Sequence, residues 1–519
     1  IRAAIGRQVA FVSATGPRAL AVVLAGVGLT SALAIAFLPP MEYLPTGNRN
    51  LVFGILVPPP GYSVDETERI GRSIQTQVAA HIGVEEGGVP AIERSFFVGD
   101  PSQVFMGAVA REPAGISGVL AYYRELEAGV PGVFAVATQA SLFGRNIGGG
   151  RAVEVEIAGA DLDVIVDFGG RLLGEIRGAI PGAQVRPIPS LDLGAPEIRV
   201  HPRRDDAAAL GIGGAELGLV VDAMVDGAII GEFGEEGEAK IDVALRAARP
   251  GGEGAAVVDP EDLASAPVAV ALPGQAGEGV VVPLSTLATI DEAPGPSLIQ
   301  RIERRRAITL QVAPPLDLAL EDAMERIRDQ VVGGMQARGE VPEGIDVVLS
   351  GTAGQLEGAK ERFGEVLILA IIISYLLLAA LFEDFIAPIA VLVTVPLAAA
   401  GGVLGLRLVD AYLGPQPLDM MTALGFLILL GVVVNNAILV VDGALARLRA
   451  GERLVDAVPG AVTARVRPIF MSSLTSLAGL LPLVLFPGSG SELYRGVGAV
   501  VLGGLALSTV LTLYVTSSL

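Results

Sequence analysis

The sequence GVVVNNAILVVD at residues 431–442 decides the fold class, because it lies within an apolar run over residues 418–441. A run of this length crosses the roughly 30 Å hydrocarbon core of a bilayer as an α-helix. Asn435 and Asn436 stand inside the run, where an amide without a hydrogen-bond partner is costly. The stretch therefore predicts a membrane-spanning helix whose two adjacent amides need hydrogen-bond partners, as between neighbouring helices.

Five further apolar runs have the length of a membrane span. They lie at residues 20–38, 364–382, 386–406, 468–486 and 496–514. The chain has 519 residues, of which 51 % are hydrophobic and 18 % charged, so it is neither a disordered chain nor an ordinary soluble enzyme. The sequence predicts a polytopic α-helical membrane protein with six spans and one large insert after the first span.

Arginine residues in the short loops predict the orientation. Arg2, Arg7 and Arg18 precede the first span. The connection between the fourth and fifth spans carries Arg447, Arg449, Arg453, Arg465 and Arg467. Arg-rich short loops stay in the cytoplasm, so 1–47 should form a cytoplasmic amphipathic start and the first span. The net charge of −20 is concentrated in the insert, which is predicted to be extracytoplasmic, and so acidic a chain is a poor partner for nucleic acid.

The insert shows one pattern twice. The first copy predicts a strand at 51–57, a helix at 63–82, strands at 92–98 and 103–111, a helix at 116–128 and a strand at 133–139. The order begins again at residue 153 and ends near residue 349, interrupted by a Gly- and Glu-rich segment at 210–295. We therefore expect an α+β insert of two ferredoxin-like βαββαβ units and one small separate subdomain.

Composition also excludes several kinds of site. The chain has no cysteine, and its two histidines, His81 and His201, stand in unrelated contexts, so neither disulfides nor a His-built metal centre are predicted. No phosphate-binding Gly-x-x-x-x-Gly-Lys-Ser/Thr motif is present. No nucleophile–base pair indicates an enzyme. The sequence predicts no cofactor and a function whose energy comes from a gradient.

Three stretches carry a resemblance to a known superfamily: residues 418–442, residues 465–483 and residues 491–498. Together they resemble the resistance–nodulation–division (RND) superfamily, in particular its hydrophobe/amphiphile efflux pumps. The resemblance covers essentially the whole chain and corresponds to the C-terminal half of such a pump. The chain begins at Ile1 without a methionine and ends directly after an apolar run, so we expect a missing N-terminal half, on the same polypeptide or on a separate chain.

The resemblance implies a homotrimer in the bacterial inner membrane, surrounded by membrane lipids and driven by proton influx. A periplasmic adaptor and an outer-membrane channel would complete the export path. It also implies a division of the insert. Residues 48–150 would form the first porter subdomain, 151–209 with 296–355 the second, and 210–295 a docking subdomain, followed by a five-helix bundle at 356–519.

The resemblance further implies a proton relay. Asn435 stands where these pumps usually carry a lysine that responds to a pair of aspartates in the other half. Asn436 is its neighbour, Arg465 matches an arginine of the relay, and Ser472 matches a hydroxyl. Because Asn cannot carry charge, an Asp–Lys switch is in doubt here. The asparagines could instead only hold helices together, Arg465 could be an orientation anchor, and Ser472 could be structural.

Aromatic residues are the candidates for substrate binding. Phe96 and Phe105 align with pocket aromatics of the drug pumps, and Phe97 is a neighbour that strand packing explains equally well. The loop 99–103 is shorter than the switch loop of those pumps. Heavy-metal relatives use Met ligands for soft ions. The methionines of the insert, Met106, Met224, Met324 and Met335, show no triad at useful spacing.

The function predicted from these residues is proton-driven antiport, the export of hydrophobic or amphiphilic small molecules across the cell envelope. Two alternatives remain open at this point. The chain could be an RND-related accessory membrane protein for lipid or protein export without drug efflux, which the Asn435 substitution and the short 99–103 loop favour. It could also be a structural subunit that pairs with a separately encoded catalytic half.

Overall fold

The computed structural model describes residues 2–44, 49–59, 61–99, 103–140, 151–234, 240–247, 259–271, 279–296, 298–315, 317–414, 416–486 and 492–519. These residues form two compact units. The larger unit is Ile1–Leu191 with Ile299–Leu519, and the smaller is Asp192–Leu298.

The chain begins with two helices, α1 (Arg2–Ser13) and α2 (Gly16–Phe37). Pro17 stands in the first turn of α2, where its missing N–H costs nothing. Val9 of α1 is fully buried against Val462 and Val466, so the short first helix packs on the membrane bundle.

The first α/β unit follows. Its elements are β1 (Val52–Val57), α3 (Val64–Ala79), β2 (Ile92–Gly99), β3 (Val104–Ala110), a 3₁₀ turn (Pro113–Gly115), α4 (Ile116–Ala128) and β4 (Phe134–Gln139). Ser63 caps α3, since its hydroxyl accepts a hydrogen bond from the Glu66 amide at 3.3 Å. The strand order is β2-β3-β1-β4, and each neighbouring pair is antiparallel. Both helices cover the same face of the sheet, where they bury Ile74, Met106 and Tyr123.

A second sheet begins with β5 (Val153–Gly159), α5 (Leu162–Ala179) and β6 (Gln184–Ile188). The chain then forms the smaller compact unit. Its elements are β7 (Ala195–Pro202), α6 (Arg204–Ala209), α7 (Gly214–Val225), β8 (Ala228–Phe233), β9 (Ile241–Leu245), α8 (Pro260–Ser265), β10 (Pro267–Ala271), β11 (Gly279–Pro283), α9 (Leu284–Leu287) and β12 (Ala288–Gly295). Three antiparallel pairs, β7–β12, β8–β9 and β10–β11, surround a core that includes Leu263, Leu284 and Leu287.

The second α/β unit is completed when the chain returns. Its last elements are β13 (Arg301–Ile302), β14 (Arg305–Ala313), α10 (Leu320–Glu325), a π-helical segment (Arg326–Val332), α11 (Gly333–Ala337) and β15 (Asp346–Gly351). The order β6-β14-β5-β15 is antiparallel throughout. Side chains of α5 and of the helix that includes the π-helical segment, such as Phe168, Leu172 and Ile327, fill the space between these helices and the sheet.

The C-terminal region is helical. It comprises α12 (Thr352–Phe382), α13 (Ala387–Leu392), α14 (Thr394–Tyr412), α15 (Met420–Arg449), α16 (Leu454–Leu485), α17 (Glu492–Val515) and a 3₁₀ turn (Thr516–Ser518). In the described part of the chain, six helical stretches are long and apolar enough to cross a membrane: Gly16–Phe37, Thr352–Phe382, Ala387–Tyr412, Met420–Arg449, Leu454–Leu485 and Leu493–Ser518. Each of the six predicted spans thus corresponds to a helix of the required length and hydropathy.

Small residues bring α14 and α17 into direct contact. A Cβ atom added at Gly401 would lie 2.5 Å from the carbonyl oxygen of Gly503, so the two backbones touch. Gly405 and Gly504 continue this close approach. Between apolar helices in lipid, such packing supplies van der Waals contact that larger side chains would prevent. It places α14, α15 and α17 at the centre of the bundle.

Candidate functional site

A buried polar chain lies in the interior of the helix bundle. Nδ2 of Asn436 donates a hydrogen bond to Ser473 Oγ at 3.2 Å, and Ser473 Oγ lies 2.9 Å from Thr509 Oγ1. The Thr509 hydroxyl donates to the Leu505 carbonyl at 2.6 Å. Each hydroxyl has one hydrogen, so the bonds run in one direction, from the Asn436 amide through Ser473 and Thr509 to the carbonyl of Leu505. The three side chains are at most 3 % exposed.

Helix periodicity places Ser473, and not Ser472, in this chain. The buried residues of α16 around this level are Val462, Val466, Ile469 and Ser473, which recur at helical spacing. Ser472 is one position away from that stripe, and its side chain is exposed. On α15, Asn436 lies on the buried face with Val433 and Ala437. The proximity of the Asn436 amide and the α16 hydroxyl thus follows from the packing of the two helices.

The other predicted relay residues lie apart from this chain. Asn435 is exposed, on the face of α15 that also carries Leu424 and Ile428. Arg465 is half-buried on α16, and a Cβ atom at Gly443 of α15 would lie 3.8 Å from its Nε. Within the described residues Arg465 makes no ion pair. Of the four predicted relay residues, the structure therefore brings Asn436 alone into the buried polar chain.

The first α/β unit has an apolar face that its helices leave uncovered. On this open face the Phe53 and Phe105 rings stack with centroids 5.7 Å apart and an interplanar angle of 28°. Phe134 and Val136 of β4 lie beside them. We call this set the aromatic face. Its residues come from alternating positions of neighbouring strands, which point to the same side of a sheet.

The predicted aromatics divide between the two sides of this sheet. Phe96 lies on the aromatic face with Phe105, because it pairs with Gly107 and a Cβ there would meet the Phe96 ring. Phe97 points to the opposite side, where it packs against Gly71 of α3 and joins the core. Of the predicted loop 99–103, residues 100–102 lie outside the described residues.

The open face of the second α/β unit is polar. Glu154 and Glu156 of β5 lie on it, both half-buried. Gln311 Nε2 donates to Glu154 Oε1 at 3.5 Å, and the Ser350 hydroxyl donates to Glu156. Arg186 stands across from Gln311 on β6. This face therefore combines two carboxylates with hydrogen-bonding neutral groups and one guanidinium.

The two open faces meet at one edge. Ala313 at the end of β14 packs against Ile55 and Val136 of the first unit. Beside it, the Arg186 guanidinium donates to Gln103 Oε1 at 3.2 Å. Burial lowers the pKa of Arg186. The edge places an aromatic wall and an acidic wall next to each other.

The methionines of the described insert are not arranged as metal ligands. Met106 has no exposed surface and packs beneath α3 and α4. Met324 and Met335 are buried in the core of the second α/β unit. Among the residues that the structure describes, no group of three or more His, Asp or Glu side chains could hold a metal ion.

An apolar cavity lies among the spans. It has a volume of about 330 Å³ and is bounded by α2, α12, α14 and α15. Ile35, Phe363 and Phe426 line it, and Lys360 is the charged residue at its wall. The volume is at the lower end of the range for small-molecule pockets.

Comparison with known proteins now identifies the family. A family model described as the AcrB/AcrD/AcrF family matches residues 6–519. The chain belongs to this family of RND efflux pumps. Two crystal forms of a heavy metal efflux pump have the same fold, with TM-scores of 0.75 and 0.74 and 21 % sequence identity. Each similarity covers 100 % of this chain and 51 % of the other, so the chain spans about half the length of these structures.

Several site residues were missed by sequence reasoning. Ser473 and Thr509 continue the chain from Asn436, and Phe53 and Phe134 complete the aromatic face. The stripe of Val462, Val466 and Ile469 favours Ser473 only weakly over Ser472, because most positions of this span are apolar. No comparable signal existed for Phe134, because its proximity to Phe53 depends on the pairing of the first and last strands of the unit.

Proposed function

We propose that this chain is the C-terminal half of an RND efflux pump subunit that exports hydrophobic or amphiphilic small molecules by proton antiport. The observation that carries this proposal is the aromatic face, where stacked, half-buried Phe53 and Phe105 form an apolar surface on the side of the sheet away from its helices. Such a surface suits a substrate with an apolar body. The adjacent Glu154 and Glu156 add a preference for amphiphiles with a positive charge.

The apolar cavity among the spans supports the same substrate class. A solute dissolved in the membrane can enter a cavity lined by Ile35, Phe363 and Phe426 without leaving apolar surroundings. Soft metal ions would require thioether or thiolate ligands at an accessible place. Met106, the methionine nearest the aromatic face in sequence, is buried on the other side of the sheet.

Proton coupling would use both halves of the subunit. We propose that an N-terminal half of the subunit covers the exposed face of α15 and supplies the titrating carboxylates. Asn435 supports this arrangement, because an exposed amide in the middle of a span needs a polar partner in the membrane. Asn436, with Ser473 and Thr509, would sense the same change from the buried side. Arg465 and Ser472 remain candidate relay residues.

The remaining assembly follows from family membership. We propose a homotrimer in the bacterial inner membrane, with the α/β units in the periplasm and with an adaptor and an outer-membrane channel as partners. We further propose that both α/β units are ferredoxin-like porter subdomains and that the smaller compact unit, Asp192–Leu298, is the docking subdomain. This unit is longer at its N-terminal side than the predicted 210–295, because β7 pairs with β12 within it. The strand orders β2-β3-β1-β4 and β6-β14-β5-β15 support the first part of this assignment.

The substrate class is tested with the full-length pump in proteoliposomes under an imposed pH gradient. We expect the cationic dye ethidium to move against its gradient, and a protonophore to stop it. Phe105→Ala should raise the half-saturating ethidium concentration about tenfold. Phe97→Leu, a core-preserving control, should leave it unchanged. Transport of Zn²⁺ or Cu⁺ without ethidium movement would contradict this substrate assignment and favour a metal pump.

The relay is tested in the same liposomes with a luminal pH dye. Ser473→Ala should reduce ethidium-dependent proton flux about tenfold, since it breaks the hydrogen-bonded route from Asn436 to Thr509 that the described residues form. Thr475→Val removes an exposed hydroxyl two residues away and serves as the control. Equal fluxes in both variants would show that the buried polar chain only packs the helices. A separate test deletes the gene in the host strain. If the strain still exports the dye and moves protons as before, the accessory role in lipid or protein export is favoured.

A further inference from the structure

The segment Met41–Tyr43, which follows α2, lies between the outer end of α15 and the start of α10. On one side, the Glu42 amide donates to the Leu418 carbonyl at 2.8 Å and the Met420 amide donates to the Tyr43 carbonyl at 3.3 Å. On the other side, the Glu321 amide donates to the Met41 carbonyl at 3.3 Å. We call these three residues the strap. It is bonded to a membrane helix and to the second α/β unit at once.

The Glu42 side chain supplies the cap that α10 lacks. Ala319 precedes α10 and has no side-chain acceptor for the free amides of the first turn. The Leu320 amide instead donates to Glu42 Oε1 at 3.0 Å, across 278 positions of sequence. A carboxylate at this end also interacts favourably with the helix dipole. Removing the Glu42 side chain would therefore leave the first turn of α10 uncapped, in addition to breaking contacts within the strap.

Arg151 forms an ion pair with Glu42 that stabilises this arrangement, and we call this pair the lock. Its guanidinium donates to both oxygens of Glu42, at 2.7 and 3.1 Å, and to the Leu318 carbonyl at 2.7 Å. The two side chains are 3 % and 6 % exposed. A buried, bidentate ion pair holds one geometry, because any displacement exposes an unpaired charge to apolar surroundings. Arg151 lies two residues before the start of β5, so the lock joins the strap to the second sheet as well as to α10.

The strap also connects the helix that carries Asn436 with the second α/β unit, and the proposed function requires movements of these two parts to be coupled. Asn436 lies about 24 Å along α15 from its start at Met420, at a rise of 1.5 Å per residue. A continuous helix transmits a displacement over this distance. Beyond the strap, α10 runs into the π-helical segment Arg326–Val332, and π-helical turns mark places where a helix can deform. The second α/β unit carries the acidic wall next to the aromatic face.

We infer that Glu42 and Arg151 are positioning residues that make α15 and the second α/β unit move as one body, and this inference rests on the proposed function for its role in export. They touch neither the aromatic face nor the buried polar chain. Their role is to keep the strap attached to both sides. Without the lock, displacement of α15 would no longer reach α10.

The test uses distances between spin labels in the full-length protein. This chain contains no cysteine, so introduced cysteines label it at chosen positions. One pair, Ala450→Cys with Arg177→Cys, joins the C-cap of α15 to α5, and both sites are exposed. A second pair, Arg177→Cys with Gln330→Cys, lies within the second α/β unit. The variant is the double substitution Glu42→Gln with Arg151→Gln, which leaves no unpaired buried charge and is therefore expected to fold.

We expect one distance population for the first pair in the parent protein, and a second population in the double variant. The second pair should keep one population in both. Arg305→Gln, which breaks an exposed ion pair with Asp346 in the same unit, is the control and should change neither pair. An unchanged first pair in the double variant overturns the inference. Broadening of the second pair also overturns it, because the lock would then only stabilise the unit.

A transport measurement separates this inference from the proposed function. In proteoliposomes the double variant should export ethidium about tenfold more slowly at an unchanged half-saturating concentration, since coupling and not binding is lost. Equal loss of rate and of apparent affinity would count against the inference. If the parent protein moves no ethidium, the proposed function fails, whereas the label distances still decide whether the strap couples α15 to α10.

Discussion

The two α/β units have the same strand order and distribute polar and apolar side chains in opposite ways. In the first unit, the open face carries the stacked rings of Phe53 and Phe105, while the layer beneath the helices buries the carboxyl of Glu127. In the second unit, the open face carries Glu154 and Glu156, while the buried side chains of α5 are apolar. Chain topology thus leaves the chemistry of each face undetermined.

The difference has a simple origin in strand geometry. Successive residues of a strand point to opposite faces, so the residue type at every second position decides which face is polar. In β1 the large apolar residues occupy both sets of positions, whereas in β5 Val153, Val155 and Ile157 alternate with glutamates. One topology can therefore supply an aromatic wall and an acidic wall for the same site.

Glu127→Gln should produce the largest effect. Burial raises the pKa of Glu127 to about 8 from 4.5, and its Oε1 has no hydrogen-bond partner among the described residues. The folded unit binds a proton that the unfolded chain releases, so stability should fall as pH rises from about 4.5 to about 8. The parent protein should lose on the order of 4 kcal/mol between pH 5 and pH 8, and the variant should not.

Thermal unfolding at the two pH values measures this. Glu125→Gln, on the exposed side of the same helix, is the control and should keep the pH dependence. If the unfolding temperature of Glu127→Gln still falls between pH 5 and pH 8 by as much as that of the parent protein, Glu127 is not the responsible group.

Leu172→Ala tests the apolar core of the second unit. Leu172 has no exposed surface and lies between α5 and the sheet. Its truncation should cost about 3 kcal/mol, because it leaves a cavity that packed neighbours fill only in part. Leu173→Ala, at a half-buried position next to it, should cost clearly less. Unlike Glu127→Gln, this effect should be the same at both pH values in denaturant unfolding.

Phe105→Ala tests the aromatic face as a structural element. It removes the stacking with Phe53 and contacts in the cluster that includes Ala313, so it should cost about 1–2 kcal/mol. Phe96→Ala, at a site that is 39 % exposed, should cost less than about 1 kcal/mol. Equal unfolding temperatures for the two variants would show that the stacked pair contributes no more than an exposed ring.

Glu156→Gln should have the smallest effect. Its carboxylate is half-buried and accepts a hydrogen bond from Ser350, and the amide oxygen of Gln can accept the same bond. The stability change should stay within about 0.5 kcal/mol. A change as large as that of Glu127→Gln would mean that the polar face, and not the core, is the sensitive part of these units. Unfolding temperatures of the two Gln variants give the comparison directly.

Much of the site could be predicted where the pattern is local. The six apolar helices follow from periodicity and composition, whereas the candidate asparagines of α15 and the candidate aromatics of β2 and β3 came from the family resemblance. The buried hydroxyl could not be chosen reliably between Ser472 and Ser473, because adjacent residues of a helix differ by about 100° in direction and the packed neighbour decides which is buried. The strap depends on residues 278 positions apart, for which a single sequence has no local signal.

The sequence by itself determined that this chain has six segments long and apolar enough to cross a membrane, and which residue types are available for chemistry. These follow from the length of the apolar runs and from the absence of cysteine and the scarcity of histidine. The tertiary structure alone decided that Asn436 meets Ser473 while Asn435 is exposed, that Phe97 faces the core while Phe96 does not, and that Glu42 caps α10. The reason is physical: span formation depends on transfer of a segment into lipid, whereas each of these contacts depends on the register and packing of two separate elements.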